Sequence, residues 1–378
     1  MTTQRTLWLA ALYLLGCSGT PPNGSGLDGG GTADMTDPLR TDIPVGSVPK
    51  AVVMADVNRD GQNDLLVVRA TGAGALHLLS ARSGQPRTFT NALLNNTAGD
   101  TPYGMAVADI DADGALDAAL VNFQGGDLSV LWGGDFTSKV SLGQGAHPGA
   151  VALADLTGDG KAEVVAAFLA LSSVSVLPYM SPRSFGTGQS YSIGAAPSSI
   201  SVADLNRDGK LDLVMAQRSA DRVRVLWGQG GGLFDSSKVT DLMTGRGPVA
   251  VALSDLNKDG TPDLVVACST EGAASVLLSQ AGGFAPAVSY PVGVDPTAVA
   301  VADLDGDGQS DAAVVNRQDG TVSILRGQGG GTFKAAGTLG VGIGPESLAL
   351  GDLDADGKTD LAVANTGSGT VSVLWGPR

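Results

Sequence analysis

The sequence predicts an all-β chain folded as a seven-bladed β-propeller, with four antiparallel strands per blade. Three observations carry the prediction: an acidic loop of nine residues that recurs seven times, a period-two pattern in front of every loop, and chain ends that together make up one blade. The loops begin at Asp56, Asp109, Asp155, Asp204, Asp255, Asp303 and Asp352, spaced by 53, 46, 49, 51, 48 and 49 residues. A proline stands seven residues before each loop (Pro49, Pro102, Pro148, Pro197, Pro248, Pro296, Pro345), and a glycine three residues before each proline. A fixed period of this length marks a repeat architecture, in which each unit buries its apolar surface only against its neighbours.

The strands follow in order. Residues before each loop alternate between small and large, as in Ala298-Val299-Ala300-Val301-Ala302, and period two is a strand signal. A second, apolar strand follows the loop (Leu213-Val214-Met215-Ala216), and a third alternates again up to Trp227. A glycine-rich turn and a phenylalanine, as in Gly329-Gly330-Gly331-Thr332-Phe333, lead into a fourth. Four short antiparallel strands make one propeller blade. The seventh copy ends after its third strand at Trp375, while the stretch from about Asp37 to Gly46 ahead of the first copy stands where a fourth strand belongs. An N-terminal strand completing the last blade closes the ring and removes the exposed edges.

Composition excludes several classes. Among 378 residues 43% are hydrophobic, too many for a disordered chain, and the 55 glycines lack a collagen period. Two cysteines exclude a disulfide scaffold, and a formal charge of −15 excludes a nucleic-acid partner, which needs a basic face. Two histidines, His77 and His147, leave little for histidine-based catalysis. No nucleophile elbow or phosphate loop is present.

The loop pattern is Asp-x-[Asp/Asn/Thr]-x-Asp-Gly-x-x-[Asp/Glu]. Ca²⁺ takes six to eight oxygen ligands. Side chains at positions 1, 3, 5 and 9 converge on one point if glycine at position 6 turns the chain sharply. The candidate ligands are Asp56, Asn58, Asp60 and Asp64 in the first loop and Asp109, Asp111, Asp113 and Asp117 in the second. The third offers Asp155, Thr157, Asp159 and Glu163, and the fourth Asp204, Asn206, Asp208 and Asp212. Asp255, Asn257, Asp259 and Asp263 form the fifth; Asp303, Asp305, Asp307 and Asp311 the sixth; Asp352, Asp354, Asp356 and Asp360 the seventh. An EF-hand is excluded, because position 12 is apolar throughout (Val67, Leu120, Ala166, Met215, Val266, Val314, Val363) where that motif needs Glu. These loops gather 24 of the 38 acidic residues, and seven structural Ca²⁺ ions would nearly cancel the formal charge of −15. Affinity is expected to follow carboxylate number, so the second, sixth and seventh loops rank first and the third last.

The N-terminal residues read as an export signal. Arg5 precedes an apolar run from Leu7 to Leu15, too short to span a bilayer and of signal-peptide length. It ends in Leu14-Leu15-Gly16-Cys17, which resembles the lipobox of bacterial lipoproteins. That resemblance implies a signal peptide over residues 1–16, acylation of Cys17, and a membrane-anchored lipoprotein at the outer membrane, on its periplasmic or surface side. Residues 17–37 are a flexible tether, and 38–378 the propeller. Cys268, in the run Leu264-Val265-Val266-Ala267-Cys268, is expected to be a buried, inert thiol.

The repeats resemble the FG-GAP and VCBS-type repeats of integrin α-subunit propellers and many bacterial surface proteins. Phe185-Gly186 followed by Gly194-Ala195-Ala196-Pro197 comes near the motif that names them. The resemblance implies calcium loops on one face and ligands on the other, where the Gly-x-x-Pro joints and the turns between strands two and three gather. Tyr103, His147, Arg218, Arg246 and Arg317 are the ligand candidates there, on positions that differ from blade to blade. The reading is a monomeric, non-enzymatic adhesion module for a protein or glycan at the cell surface, touching membrane only through its anchor. The alternatives are a calcium-bearing propeller enzyme, such as a polysaccharide lyase, a phospholipase or another hydrolase, and a purely structural envelope lipoprotein.

Overall fold

The computed structural model describes residues 40–376, apart from 72–74, 83–86, 95–98, 134–135, 137 and 144–146. The signal segment 1–16, the tether 17–37 and the acylation candidate Cys17 lie outside the described residues.

The described residues form seven four-stranded antiparallel sheets, six of them with their strands in chain order. Their first strands are Pro49–Ala55, Pro102–Ala108, Pro148–Ala154, Ser199–Ala203, Pro248–Ser254, Pro296–Ala302 and Pro345–Gly351, in blades 1 to 7. These strands touch one another in cyclic order, blade 7 meeting blade 1. They surround a central cavity of about 720 Å³. Blade 7 consists of Pro345–Gly351, Asp360–Asn365 and Thr370–Leu374, completed by Arg40–Pro44 from the other end of the chain, with Arg40 opposite Leu374 and Pro44 opposite Thr370. The ring is closed as expected, and the closing strand ends at Pro44, two residues short of Gly46. Blades 3 and 5 add two-residue hairpins, Tyr179–Met180 with Ser184–Phe185 and Ser279–Gln280 with Gly283–Phe284, between their third and fourth strands. The single helical element among the described residues is the short turn Arg218–Ala220.

The core lies between blades. Along the second strand of blade 1, Leu66 and Val68 pack against Met105 and Leu120 of blade 2, while Leu65 and Val67 pack against Ala362, Val373 and Trp375 of blade 7. Alternate side chains point to opposite faces, and both faces are covered, which is why second strands read as continuous apolar runs. Trp132 and Trp375 are fully buried, as their shared repeat position implies, and Trp227 is partly so. Cys268 is buried and free, and burial raises its pKa.

His77 fills a position held elsewhere by valine or isoleucine and packs within the third strand of blade 1 at 6% exposure. Its Nε2 lies 3.0 Å from the Arg69 guanidinium and its Nδ1 2.9 Å from Asn91 Oδ1. An arginine can only donate, so Nε2 accepts and the ring is neutral, its proton on Nδ1. Arg69 and Asn91 continue to the carbonyls of Ser47 and Pro44, tying blade 1 to the closing segment. Burial lowers the pKa of His77, and the charge of Arg69 adds to that. Because the folded value lies below the unfolded one, near 6.5, this stability is present above pH 6.5 and is lost as pH falls through the folded pKa. Urea melts of wild type and His77→Val at pH 7.5 and 5.5 check this. Wild type is expected to lose more stability on acidification, by up to about 1.4 kcal/mol per pH unit, and equal losses would contradict the assignment.

Candidate functional site

Each first strand runs toward its loop, starting at the proline in six blades and at Ser199, two residues after Pro197, in blade 4, and the proline-to-loop span is about 20 Å. The loops therefore gather at one end of the ring, and the joints and strand 2–3 turns at the other.

Every loop is wound by its own carboxylates. In the first, Asp56 accepts the amides of Asp60 and Gly61 at 3.1 and 2.9 Å, and Asp60 accepts that of Gln62 at 2.9 Å. Asp204 and Asp208 repeat these bonds in the fourth loop, as do Asp352 and Asp356 in the seventh. The position-6 glycines all take positive φ, from Gly209 at 80° to Gly61 at 86°, as the sharp turn requires. Position 4 is left-handed too, although five of its residues are not glycine: Arg59, Ala112, Arg207, Lys258 and Ala355 have φ of 59 to 63°. Nothing in those residue types signals that conformation.

The position-9 acids do more than face the loop. Asp117 accepts the amide of Ile110 at 2.9 Å and that of Gly133, at the end of the third strand, at 2.6 Å. Asp212, Asp263, Asp311 and Asp360 make the same pair of bonds, and Glu163 bonds the amides of Leu156 and Tyr179. These carboxylates are buried, which raises the pKa of Asp64, Asp117, Glu163, Asp212, Asp263 and Asp360; the amide bonds pull the other way and neighbouring carboxylates add to the rise. Asp117 and Asp212 are pushed up to about 6. Keeping such groups ionised is costly unless a cation stands close by.

Three loops bring carboxylate oxygens together within 4.8 Å: Asp109, Asp111 and Asp117; Asp303, Asp305 and Asp311; Asp352, Asp354 and Asp356. They are the second, sixth and seventh, those with four acids. Oδ1 of Asp111 and of Asp354 is buried without a hydrogen-bond partner. An orphaned carboxylate oxygen beside two further carboxylates fits a hard divalent cation, to which Ca²⁺ would supply charge and fixed oxygen geometry. In the other four loops, Asn58, Asn206 and Asn257 turn their side-chain oxygens onto the amides of Asp60, Asp208 and Asp259, and the Thr157 hydroxyl sits 3.4 Å from Asp155. The second, sixth and seventh loops are those expected to bind most tightly: calorimetric titration is expected to lose one calcium equivalent in Asp307→Ala, with a much smaller change in Asp159→Ala. Equal losses would reverse the ranking.

An arginine meets each position-3 aspartate. Arg183 of blade 3 donates to Asp111 and Asp113 of blade 2 at 2.9 and 3.0 Å and lies over the Trp132 ring at 5.3 Å. Arg87 of blade 1 donates to Asp354 of blade 7 at 2.9 Å and lies over the Trp375 ring at 5.0 Å. Phe185 and Phe89 stack on the same two tryptophans. Both arginines belong to a Pro-Arg-x-Phe segment, Pro86-Arg87-Thr88-Phe89 and Pro182-Arg183-Ser184-Phe185, a signal that sequence reading passed over. In blade 6, Arg326, on the tryptophan position itself, reaches Asp305 and Asp311 at 3.2 and 2.7 Å. Where position 3 is Asn, position 4 is basic and crosses to the next loop: Arg59 to Asp113, Arg207 to the Asp259 carbonyl and Lys258 to the Gly308 carbonyl.

At the opposite end the predicted ligand residues divide. Tyr103 is buried, its ring 5.5 Å from that of Phe123, which lies 5.0 Å from exposed His147. Lys50 lies over Tyr103 at 4.9 Å and bonds Glu346 at 2.7 Å across the blade 7–blade 1 boundary. Arg317 pairs with Asp295 at 2.7 Å, and Glu346 and Tyr103 act on its charge. Arg218, in the turn of blade 4, and exposed Arg246, in the joint before blade 5, stand further round the ring. The joint glycines have a steric cause: a Cβ on Gly293 would fall 2.6 Å from the Asn316 side chain, which accepts the Gly293 amide.

Among curated proteins, none matches this chain significantly. The chain is similar in fold to BBS1N, solved in complex with ARL6DN, at 14% identity and a TM-score of 0.62, over 89% of this chain and 96% of that one. It is also similar to an inactive virginiamycin B lyase from Staphylococcus aureus, solved with quinupristin, at 12% identity and a TM-score of 0.58, over 88% and 98%. A protein from Lactobacillus plantarum gives 15% identity and a TM-score of 0.57, over 79% and 86%. At these identities the likeness concerns fold alone. The FG-GAP-like repeat family matches residues 56–120, 109–166, 204–266, 255–314 and 304–363, well over half the sequence, and this chain belongs to that family.

Proposed function

We propose that this propeller is a calcium-stabilised binding module, exported and anchored through lipid on Cys17, that presents its proline-end face to a protein or glycan partner. The observation that carries this reading is the contrast between the two ends of the ring. The loop end repeats one chemistry seven times, which suits structural ions. The other end differs in every blade: it carries the aromatic run Tyr103–Phe123–His147 in blades 2 and 3 and, in turns and joints elsewhere around the ring, Leu171, Val294 and Ile343, exposed by 59%, 52% and 72%. Rigid scaffolds carry specificity on such variable turns, and aromatic anchors dominate protein interfaces.

Binding without turnover is favoured because two of the cations there are matched. Lys50 faces Glu346 and Arg317 faces Asp295, so much of the charge an acidic polysaccharide would meet near these blades is already neutralised. The fold of BBS1N, seen in complex with another protein, supports a protein partner over a glycan. Surface plasmon resonance against purified surface proteins and a glycan panel, in calcium and in EDTA, tests the reading. A partner whose affinity falls at least tenfold with Phe123→Ala and His147→Ala is expected. Binding insensitive to both, or turnover of a glycan, would contradict it. Labelling with radioactive palmitate, absent in Cys17→Ser, tests the anchor.

A further inference from the structure

The side chains lining the central cavity are almost all apolar, and we infer that it binds the hydrocarbon portion of a small amphiphile entering from the loop end. At the other end, residues that follow the prolines are packed away from solvent. Tyr103, Val249, Thr297 and Glu346 are 3–8% exposed there, and Lys50 bridges Glu346 and Tyr103. None of these residues lines the cavity, whereas Asp255, Gly260 and Pro262 of the fifth loop do. The opening therefore faces the loops.

Exposure rises along the strands in the same direction. Three residues after the proline, Val52, Met105, Val251, Val299 and Leu348 are at most 4% exposed. Two residues further on, Met54, Leu253, Val301 and Leu350 are half-buried, and all four line the cavity with Val107 and Leu153. A half-buried strand position next to water is free to be polar. Here it is Met, Val, Leu, Val, Leu, Val and Leu in blades 1 to 7. Ser254 is the one hydroxyl among the lining side chains. Water beside these apolar side chains finds few of the two to four polar partners it needs, so a hydrocarbon group displaces it at little cost. A volume of about 720 Å³ lies within the range of small-molecule sites. Each Å² of apolar wall covered is worth about 25 cal/mol, so an alkyl chain or fused ring gains affinity from the wall alone, while its head stays among the loops.

The probe is N-phenyl-1-naphthylamine, titrated into the full chain in calcium and read by fluorescence. A saturable, single-site rise that decanol displaces is expected. The channel-filling pair Ala300→Leu and Ala349→Leu, on half-buried positions of blades 6 and 7, is expected to weaken binding at least tenfold. Should that pair not fold, Val301→Gln at the opening, checked by circular dichroism, is expected to weaken it several-fold. Absence of a saturable rise overturns the inference. So does a rise undiminished in a folded variant. Neither result bears on partner binding at the opposite face, which Phe123→Ala and His147→Ala test separately.

Discussion

Chelation by EDTA is expected to lower the melting temperature by about 10 °C or more, and added calcium to restore it. A ligand bound only by the folded state stabilises it by about 2.7 kcal/mol per site when free at a hundred times its dissociation constant. The three carboxylate groups, at Asp109/Asp111/Asp117, Asp303/Asp305/Asp311 and Asp352/Asp354/Asp356, would together contribute about 8 kcal/mol on that basis. For a domain above 150 residues each kcal/mol moves the midpoint by about 2 °C or a little less. The effect should exceed that of deleting any one ligand, because the buried carboxylates of Asp117 and Asp360 tie the loops to the ends of the third strands. Departure of the metal leaves several carboxylates crowded around one arginine in each cluster, which weakens the hairpin as well as the loop. Differential scanning calorimetry with calcium, magnesium and EDTA reads the difference. A midpoint unmoved by chelation would falsify the structural role assigned to the loops.

The architecture was legible because the repeat is strict where packing is strict. Glycine at position 6, proline at the strand start and the apolar second strand each answer a constraint that recurs in every blade, so seven copies point to one cause. The missing fourth strand of blade 7 was legible for the same reason, as an absence in an otherwise complete pattern. What stayed hidden were contacts between blades. Arg87 and Arg183 meet an aspartate and a tryptophan of the neighbouring blade, and a sequence read one repeat at a time shows only a basic residue in a turn. The left-handed position 4 was hidden because the amide-to-carboxylate bonds of the loop impose it on whatever residue is there. At the opposite end, Tyr103 is buried, packed against Phe123 and under Lys50. Burial of one aromatic by another depends on three separate blade segments and has no period to reveal it.

Removal of the closing strand is expected to have the second large effect. A chain beginning at residue 39 should keep its melting temperature, and one beginning at residue 48 should lose its cooperative transition or aggregate. The segment between these starts contributes Arg40–Pro44 to the outer edge of blade 7 and places Val45, 2% exposed, in the core shared with blade 1. Its side chains are anchored as well: Ser372 donates to Asp42 at 2.6 Å and the Trp375 indole to Thr41 at 3.0 Å. Burying Val45 is worth about 1.5–3 kcal/mol, and each backbone bond lost with the strand about 1 kcal/mol. The total is comparable to the whole stability of a typical domain, about 5–15 kcal/mol. The loss is also qualitative, since Thr370–Leu374 would become an open edge carrying Val371 and Val373, a template for pairing with other chains. Thermal melts with light scattering distinguish the two truncations, and a synthetic peptide of residues 38–47 should restore the transition in the shorter chain. Equal midpoints for both would mean that the ring is held by the contacts between its innermost strands, and that the terminal strand only covers an edge.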